Sequence, residues 1–417
     1  MVIKTKFDLG LKTVREGIIE EDVQVKLGFE TELHILDLDL RPAPQEIVQR
    51  IIGKDPTGRS TELCGNQIEL KTDPVNGFDI DKLFQMLSTQ EDRLNQDLAE
   101  EELTTIRIGA LPNVNPHDVI VTDYERYKIV PTFHDQRRAK HIETKLGGVD
   151  FACAKSVGLF SSVQLNLQAK TLEDGVDKVN RSLMIGPYVA ALTGNARIID
   201  GIDTGYNDIR MIAWERSHDI RAPGITENRV GLPQTYYKDF EDYAQRIRER
   251  SFIFDLEDAD PMDVLLIGFG LNWRDTRLKI VKDREGFRPV VEFRVMSTQP
   301  TIEEDLAGSM FYLGRLQWSQ MTNEELNPEY AFNRNQTLRL GMQAQVYENG
   351  RLTSGLSDLL SRELLRAEDG LVDLGFDRME ARTYLGLLKA RTEPPSQTFA
   401  REVKSFGLEE AMNRYMG

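Results

Sequence analysis

The chain has 417 residues, 40% hydrophobic and 29% charged, which is enough apolar material for a globular protein with a large buried core. Its 68 acidic and 52 basic residues leave a formal net charge of −16. That balance argues against a nucleic-acid or anionic-membrane surface as the main partner, although local arginines and metal ions can still hold a polyanion such as ATP. The two cysteines, Cys64 and Cys153, form neither a disulfide framework nor a zinc-ligand spacing and read as small core residues. The opening "MVIKTKFDLGLKTVREG" lacks the apolar run of a signal segment, and no stretch of about 18 apolar residues occurs. A cytoplasmic, reduced setting is expected, so the Asn-x-Ser/Thr triplets at Asn180 and Asn335 carry little weight.

In chain order, strand-like runs fall at 25–36, 65–71, 104–109, 160–169, 263–270, 276–281 and 289–296. A helix follows Asp79, a plausible cap, with Leu83, Phe84, Leu87, Leu94 and Leu98 on its apolar stripe. Further helices are expected near 171–193 and 235–249. From about 302 the spacing becomes helical, with Leu356, Leu359, Leu360 and Leu364 on one stripe. Strands and helices do not alternate regularly, which disfavours a doubly wound parallel sheet and favours an α+β fold on a largely antiparallel one. No repeat or linker marks a boundary. Residues 1–417 are therefore expected to form a single domain, with 1–301 as the sheet core and 302–417 as a mainly helical tail packed on it.

Within this pattern, "LGFETELHILD" (27–37) alternates with period two, so Glu30 and Glu32 point to the same face of a strand. "STELCGNQIELKTDP" puts Glu62 in a loop and Glu69 on the next strand. "PVVEFRVMSTQPT" puts Glu292 and Arg294 on one face, with Val291, Phe293 and Val295 on the other. A solvated polar face is the ordinary reading of any one such strand. Acid-only faces on several strands fit solvation poorly, because solvated faces usually mix Lys with Glu. Carboxylates beside an arginine suit hard divalent cations that bridge phosphates, with the guanidinium on a phosphoryl oxygen. Competing motifs are missing: there is no GxxxxGK[ST], HExxH or GxSxG, and "GFG" at 268–270 lacks the spacing of a dinucleotide loop. Five histidines make a His-centred zinc site a poor reading. A two-carboxylate glycosidase would leave the remaining acids and Arg294 unexplained.

These segments resemble the glutamate–cysteine ligase type 2 family of carboxylate–amine ligases. "LGFETELHILD" is similar to its opening Gly-x-Glu-x-Glu strand and "IELKTDP" to its second acidic strand. "ALTGNARIIDGIDTGYNDIR", "LNWRDTRL", "VEFRVMSTQPT" and "NRNQTLRLGMQAQV" resemble later family segments, so the likeness runs over most of the chain. It implies a glutamine synthetase-like catalytic fold, with a curved, funnel-like antiparallel sheet holding ATP and Mg²⁺, or Mn²⁺ in its place. Residue by residue, it implies Glu30, Glu32, Glu62, Glu69 and Glu292 as metal ligands. Arg294 and Glu292 become catalytic, Gln164, Asn166 and Arg294 contact the nucleotide, and Arg210 binds the acid substrate.

The implied activity is ATP-dependent amide formation through an acyl phosphate, by default γ-glutamyl transfer from glutamate to cysteine, as in glutathione biosynthesis, or to another amine. Partners would be these small molecules, with no nucleic acid or membrane; a homo-oligomer is left open. One departure stands out. In "FSSVQLNLQ", Ser162 and Gln164 replace expected histidines, while Asn166 remains. The substitution keeps alive a weak or inactive ligase-like protein that binds a metabolite. Phosphoryl transfer without ligation, as in guanidino kinases, is disfavoured by the TGY segment and the tail.

Overall fold

The computed structural model describes residues 2–19, 26–76, 79–139, 142–220, 228–250, 252–282 and 284–417. Its centre is an antiparallel sheet that curls into a half-barrel, with strands in the spatial order Thr276–Lys282, Phe287–Phe293, Val163–Gln168, Lys26–Asp37, Gln67–Lys71 and Arg59–Thr61. The short strands Val75–Asn76 and Leu103–Ile106 pair with the two ends of the long strand Lys26–Asp37. Antiparallel pairing throughout this sheet agrees with the α+β expectation. Residue 25, the start of the first expected strand, lies outside the described residues.

Strand parity sends Leu27, Phe29, Leu165, Leu167 and Phe293 to one face, where they are buried. The helices Leu172–Thr193 and Ile302–Met321 cover that face, and the Phe293 ring stacks on Tyr312 with centroids 3.8 Å apart. Further along, Leu33, Ile35, Ile68 and Leu70 pack with Val48 and Ile51 of helix Gln45–Lys54 and with Leu94 and Leu98 of helix Ile80–Ala99. That last helix starts as expected: the Asp79 carboxylate accepts from the Lys82 backbone N–H at 3.0 Å.

One expected strand, 263–270, is instead the helix Pro261–Gly270. A short apolar run has no decisive period, and here the start signals decide: Asp260 accepts from the Met262 N–H at 2.8 Å, and Pro261 occupies the first turn. The helix is held by another, Val2–Gly17, whose Phe7 stacks on Phe269 with centroids 6.1 Å apart. The helix expected near 235–249 is shorter, Phe240–Arg248. Among the described residues, no helix is long and apolar enough to cross a membrane.

After residue 302, helix Ser357–Asp373 lies along Ile302–Met321 at very close range. A Cβ built on Gly370 would stand 1.8 Å from the Gly314 carbonyl oxygen, so this crossing depends on a bare backbone. Gly370→Ala should therefore cost about 1–3 kcal/mol by overpacking. Gly386→Ala, also within a helix but with nothing within 4 Å of its Cβ position, should be neutral or stabilise by about 0.4–1 kcal/mol. Denaturant midpoints of the two variants check the contrast, and equal shifts would contradict it.

Candidate active site

The face opposite the apolar one carries the predicted acids, and antiparallel register decides which of them meet. Glu32 lies directly across from Glu69, which lies across from Ser60. Glu30 has Lys71 on one side and Gln164 on the other. Asn166 sits between Gly28 and Glu292, and Glu292 faces Arg277. Directly opposed like charges destabilise a sheet, so the Glu32–Glu69 pair is tolerated only with compensation nearby.

Part of that compensation is built in. The Ser162 backbone N–H and hydroxyl donate to Glu32 Oε2 at 2.7 and 2.9 Å, and Gln164 Nε2 donates to Glu32 Oε1 at 2.9 Å. Both residues that stand where histidines were expected thus support one carboxylate. The Ser60 hydroxyl and the Lys71 ammonium each lie 2.9 Å from Glu69 Oε1. Burial, with the charge of Glu69 beside it, still raises Glu32 to about 7, against the opposing pull of Arg294 and Ser162. Glu30 is likewise raised to about 7, first by burial and then by Glu69. Glu62 rises well above the usual range by burial and the charges of Glu69 and Glu32. Oxygens of Glu32, Glu62 and Glu69 lie within 4.8 Å of one another.

Glu292 has the opposite environment. It is fully buried, which alone would raise its pKa, but Arg277, Lys279 and Arg294 together hold it well below the carboxylate range. Arg277 Nε lies 2.8 Å from Oε1 and its Nη2 3.0 Å from Oε2. Lys279 pairs with Oε2 and Arg294 Nη1 with Oε1. Arg294 Nη1 also donates to Gln164 Oε1 at 2.5 Å, and its guanidinium sits 5.5 Å from the centre of the Trp214 ring. The expectation of acid-only faces is thereby corrected: Lys71, Arg277 and Lys279 are interleaved with the acids.

Arg210 is buried beside this cluster, and its Nη2 donates to the carbonyls of Arg294 and Val295 at 3.2 and 2.5 Å. Its Nε is buried without a hydrogen-bond partner, as is Asn166 Oδ1. Next to Glu62 and Glu69 opens a cavity of about 570 Å³, bordered by Arg59, Ser60, Lys71, Tyr124 and Arg126. That is the size range of small-molecule sites.

Residues 26–365 match the glutamate–cysteine ligase family 2. The chain belongs to that family. It is 26% identical over 226 residues to the glutamate–cysteine ligase EgtA of Mycolicibacterium smegmatis, covering 51% of this chain and 47% of that protein. The chain therefore spans about half the length of this curated relative. In fold it is similar to a glutamate–cysteine ligase from Francisella tularensis, solved in complex with AMP, at a TM-score of 0.64 and 12% identity over 95% of this chain and 88% of that one. A bifunctional glutathione synthetase from Pasteurella multocida gives a TM-score of 0.62 at 12% identity, over all of this chain and 54% of that one.

The family implies divalent cations, and the donors here fit them unequally. Glu32, Glu62 and Glu69 offer converging oxygens whose mutual repulsion an ion would relieve. Glu292 and Gln164 do not fit, since their oxygens already accept from protein cations. The sequence reading missed Arg277 and Lys279; Arg277 lies in the quoted segment "LNWRDTRL", next to its last residue, and Lys279 follows two residues later on the same face.

The raised carboxyls make stability depend on pH. Between the ordinary 4.5 and about 7, folded Glu30 and Glu32 hold protons that the unfolded chain has lost. Their contribution is full below 4.5 and is lost as pH rises through about 7. Metal-free Glu32→Gln should accordingly gain melting temperature over the wild type from about pH 5 to about pH 8. A gap that stays constant across that range would refute the charge burial.

Proposed function

We propose that the chain is an ATP-dependent carboxylate–amine ligase, with residues 1–417 acting as one catalytic domain and γ-glutamyl transfer to cysteine or another amine as its reaction. The observation that carries this reading is the convergence of Glu32, Glu62 and Glu69 beside the buried Arg294, with Gln164 bridging Glu32 and Arg294. A divalent cation held by that trio would supply positive charge toward phosphoryl oxygens. Arg294, fixed by Glu292, Gln164 and Trp214, offers the guanidinium to the transferred phosphoryl group. Asn166 Oδ1, buried and unpartnered, is left to accept from the nucleotide. Arg210, whose Nε makes no hydrogen bond though it lies 4.0 Å from Asp208 Oδ1, is assigned to the substrate acid, and the cavity beside Glu62 and Lys71 to a small-molecule substrate.

In the proposed reaction, a carboxylate oxygen of the acid attacks the γ-phosphorus in line and ADP leaves with the former bridging oxygen. The amine nitrogen then attacks the acyl carbon, phosphate leaves, and the nitrogen loses a proton as the amide forms. No protein nucleophile is needed; the side chains bind, orient and spread charge.

A second reading, a ligase-like binding protein with little turnover, is favoured by Gln164, whose amide is engaged at both ends by Glu32 and Arg294 and cannot ionise. Phosphate release separates the two. With Mg-ATP and glutamate, the ligase should release ADP and phosphate faster when a suitable amine is added. Nucleotide binding without ADP formation across a broad acid and amine screen would favour the second reading, and ADP without free phosphate would mean a kinase. Arg294→Ala should lower turnover by at least ~10²-fold with nucleotide binding retained. Near-wild-type turnover would remove Arg294 from the phosphoryl step.

A further inference from the structure

Lys279 sits on the edge strand Thr276–Lys282 with its side chain only 25% exposed. Its Nζ pairs with Glu292 Oε2 and lies 4.0 Å from Glu30 Oε1, so one ammonium stands between two acids of separate strands. An ammonium is a compact point charge with donors and no acceptor, the nearest a side chain comes to a bound cation.

The acids it meets are already crowded by other cations. Glu292 Oε1 faces Arg277 Nε and Arg294 Nη1, and Oε2 faces Arg277 Nη2 and Lys279 Nζ. Arg277 Nε makes no hydrogen bond there, but three cations crowd the two oxygens, and their charge opposes the entry of a further ion. Gln164 gives its oxygen to Arg294 and its amide nitrogen to Glu32. Around Glu32, Glu62 and Glu69 the balance is reversed. Each of the three offers a carboxylate oxygen within 4.8 Å of the other two, and Lys71 reaches only Glu69 among them.

We propose that the Lys279 ammonium is the resident cation of the Glu30–Glu292 pair, so that the protein takes up one divalent cation, at Glu32, Glu62 and Glu69, and none between Glu30 and Glu292. This rests on the ligase reading only for the ion at the trio. A lysine cannot exchange or follow a departing phosphate as a hydrated ion can. The Glu30–Glu292 half of the face thus holds a fixed positive charge at any metal concentration.

The test is Mn²⁺ alone, titrated without nucleotide into the full-length protein, with free Mn²⁺ read by electron paramagnetic resonance. Wild type should bind one ion and lose it in Glu69→Gln. Lys279→Met, which keeps the stem and removes the charge, should bind two, and Glu30→Gln placed on that background should remove the second alone. Lys279→Gln provides a second neutral variant, and Lys279→Arg, which keeps the charge, should stay at one. Two ions in wild type, or one in both neutral variants, would overturn the inference and leave the ligase reading standing. No binding in wild type or in any Lys279 variant would overturn the metal site itself and this inference with it.

Discussion

A carboxylate with no solvent contact keeps its charge at Glu292 because three cations converge on it. Removing an ion from water costs several kcal/mol, and attraction offsets that only when geometry is good and the remaining lone pairs are satisfied. Both conditions hold here, with Arg277, Lys279 and Arg294 sharing the two oxygens. The consequence reaches beyond one residue. The same contact ties strand Thr276–Lys282 to its neighbour on the polar face and fixes the guanidinium of Arg294, the group assigned to the phosphoryl step. An uncharged residue at 292 would leave all three cations without their shared partner.

The face is polarised as a result. At one end acids and cations are matched; at the other, Glu32 and Glu62 remain raised by burial and neighbouring carboxylates despite partial compensation. Gln164 lies between the two ends and touches both, accepting from Arg294 and donating to Glu32. A histidine at this position would titrate with its surroundings. An amide holds the same pair of neighbours without changing charge, since it carries a donor and an acceptor at once. Compared with the expected histidine, Gln164 is a fixed group rather than a pH-responsive one, in keeping with the proposed role of Lys279 as fixed charge close by.

Much of this was legible from residue order. Period-two alternation placed Glu30 and Glu32 on one face, and the same rule placed Glu69 and Glu292, because strand parity is local and strict. Asp79 capped its helix as its type and position implied. Parity could not say which strands are neighbours, so the cations opposite Glu292 stayed unread although Arg277 lay in plain view. The 263–270 run failed for a related reason. Its apolar residues suit a buried strand or a buried helix equally, and the capping pair Asp260–Pro261 outweighed them. Glu62, on a loop, comes within reach of Glu32 only through the paired strands that flank it.

Arg294 explains why distant segments share one site. The strand ends at Phe293, so the sheet ladder does not by itself aim the next side chain. The Arg294 N–H instead donates to the Asp275 carbonyl at 3.0 Å, and its own carbonyl accepts from Arg210 at 3.2 Å. Asp275 belongs to "LNWRDTRL", and its carboxylate is held in turn by Arg334 of the tail helix Tyr330–Leu340. Arg210 closes "DTGYNDIR", whose Asp208 accepts from the Ser297 hydroxyl at 2.5 Å just beyond Arg294. Segments from three separate regions of the chain therefore brace a single arginine. By that geometry, altering any one of them should loosen the backbone that aims the guanidinium, even where the altered residue never meets a substrate.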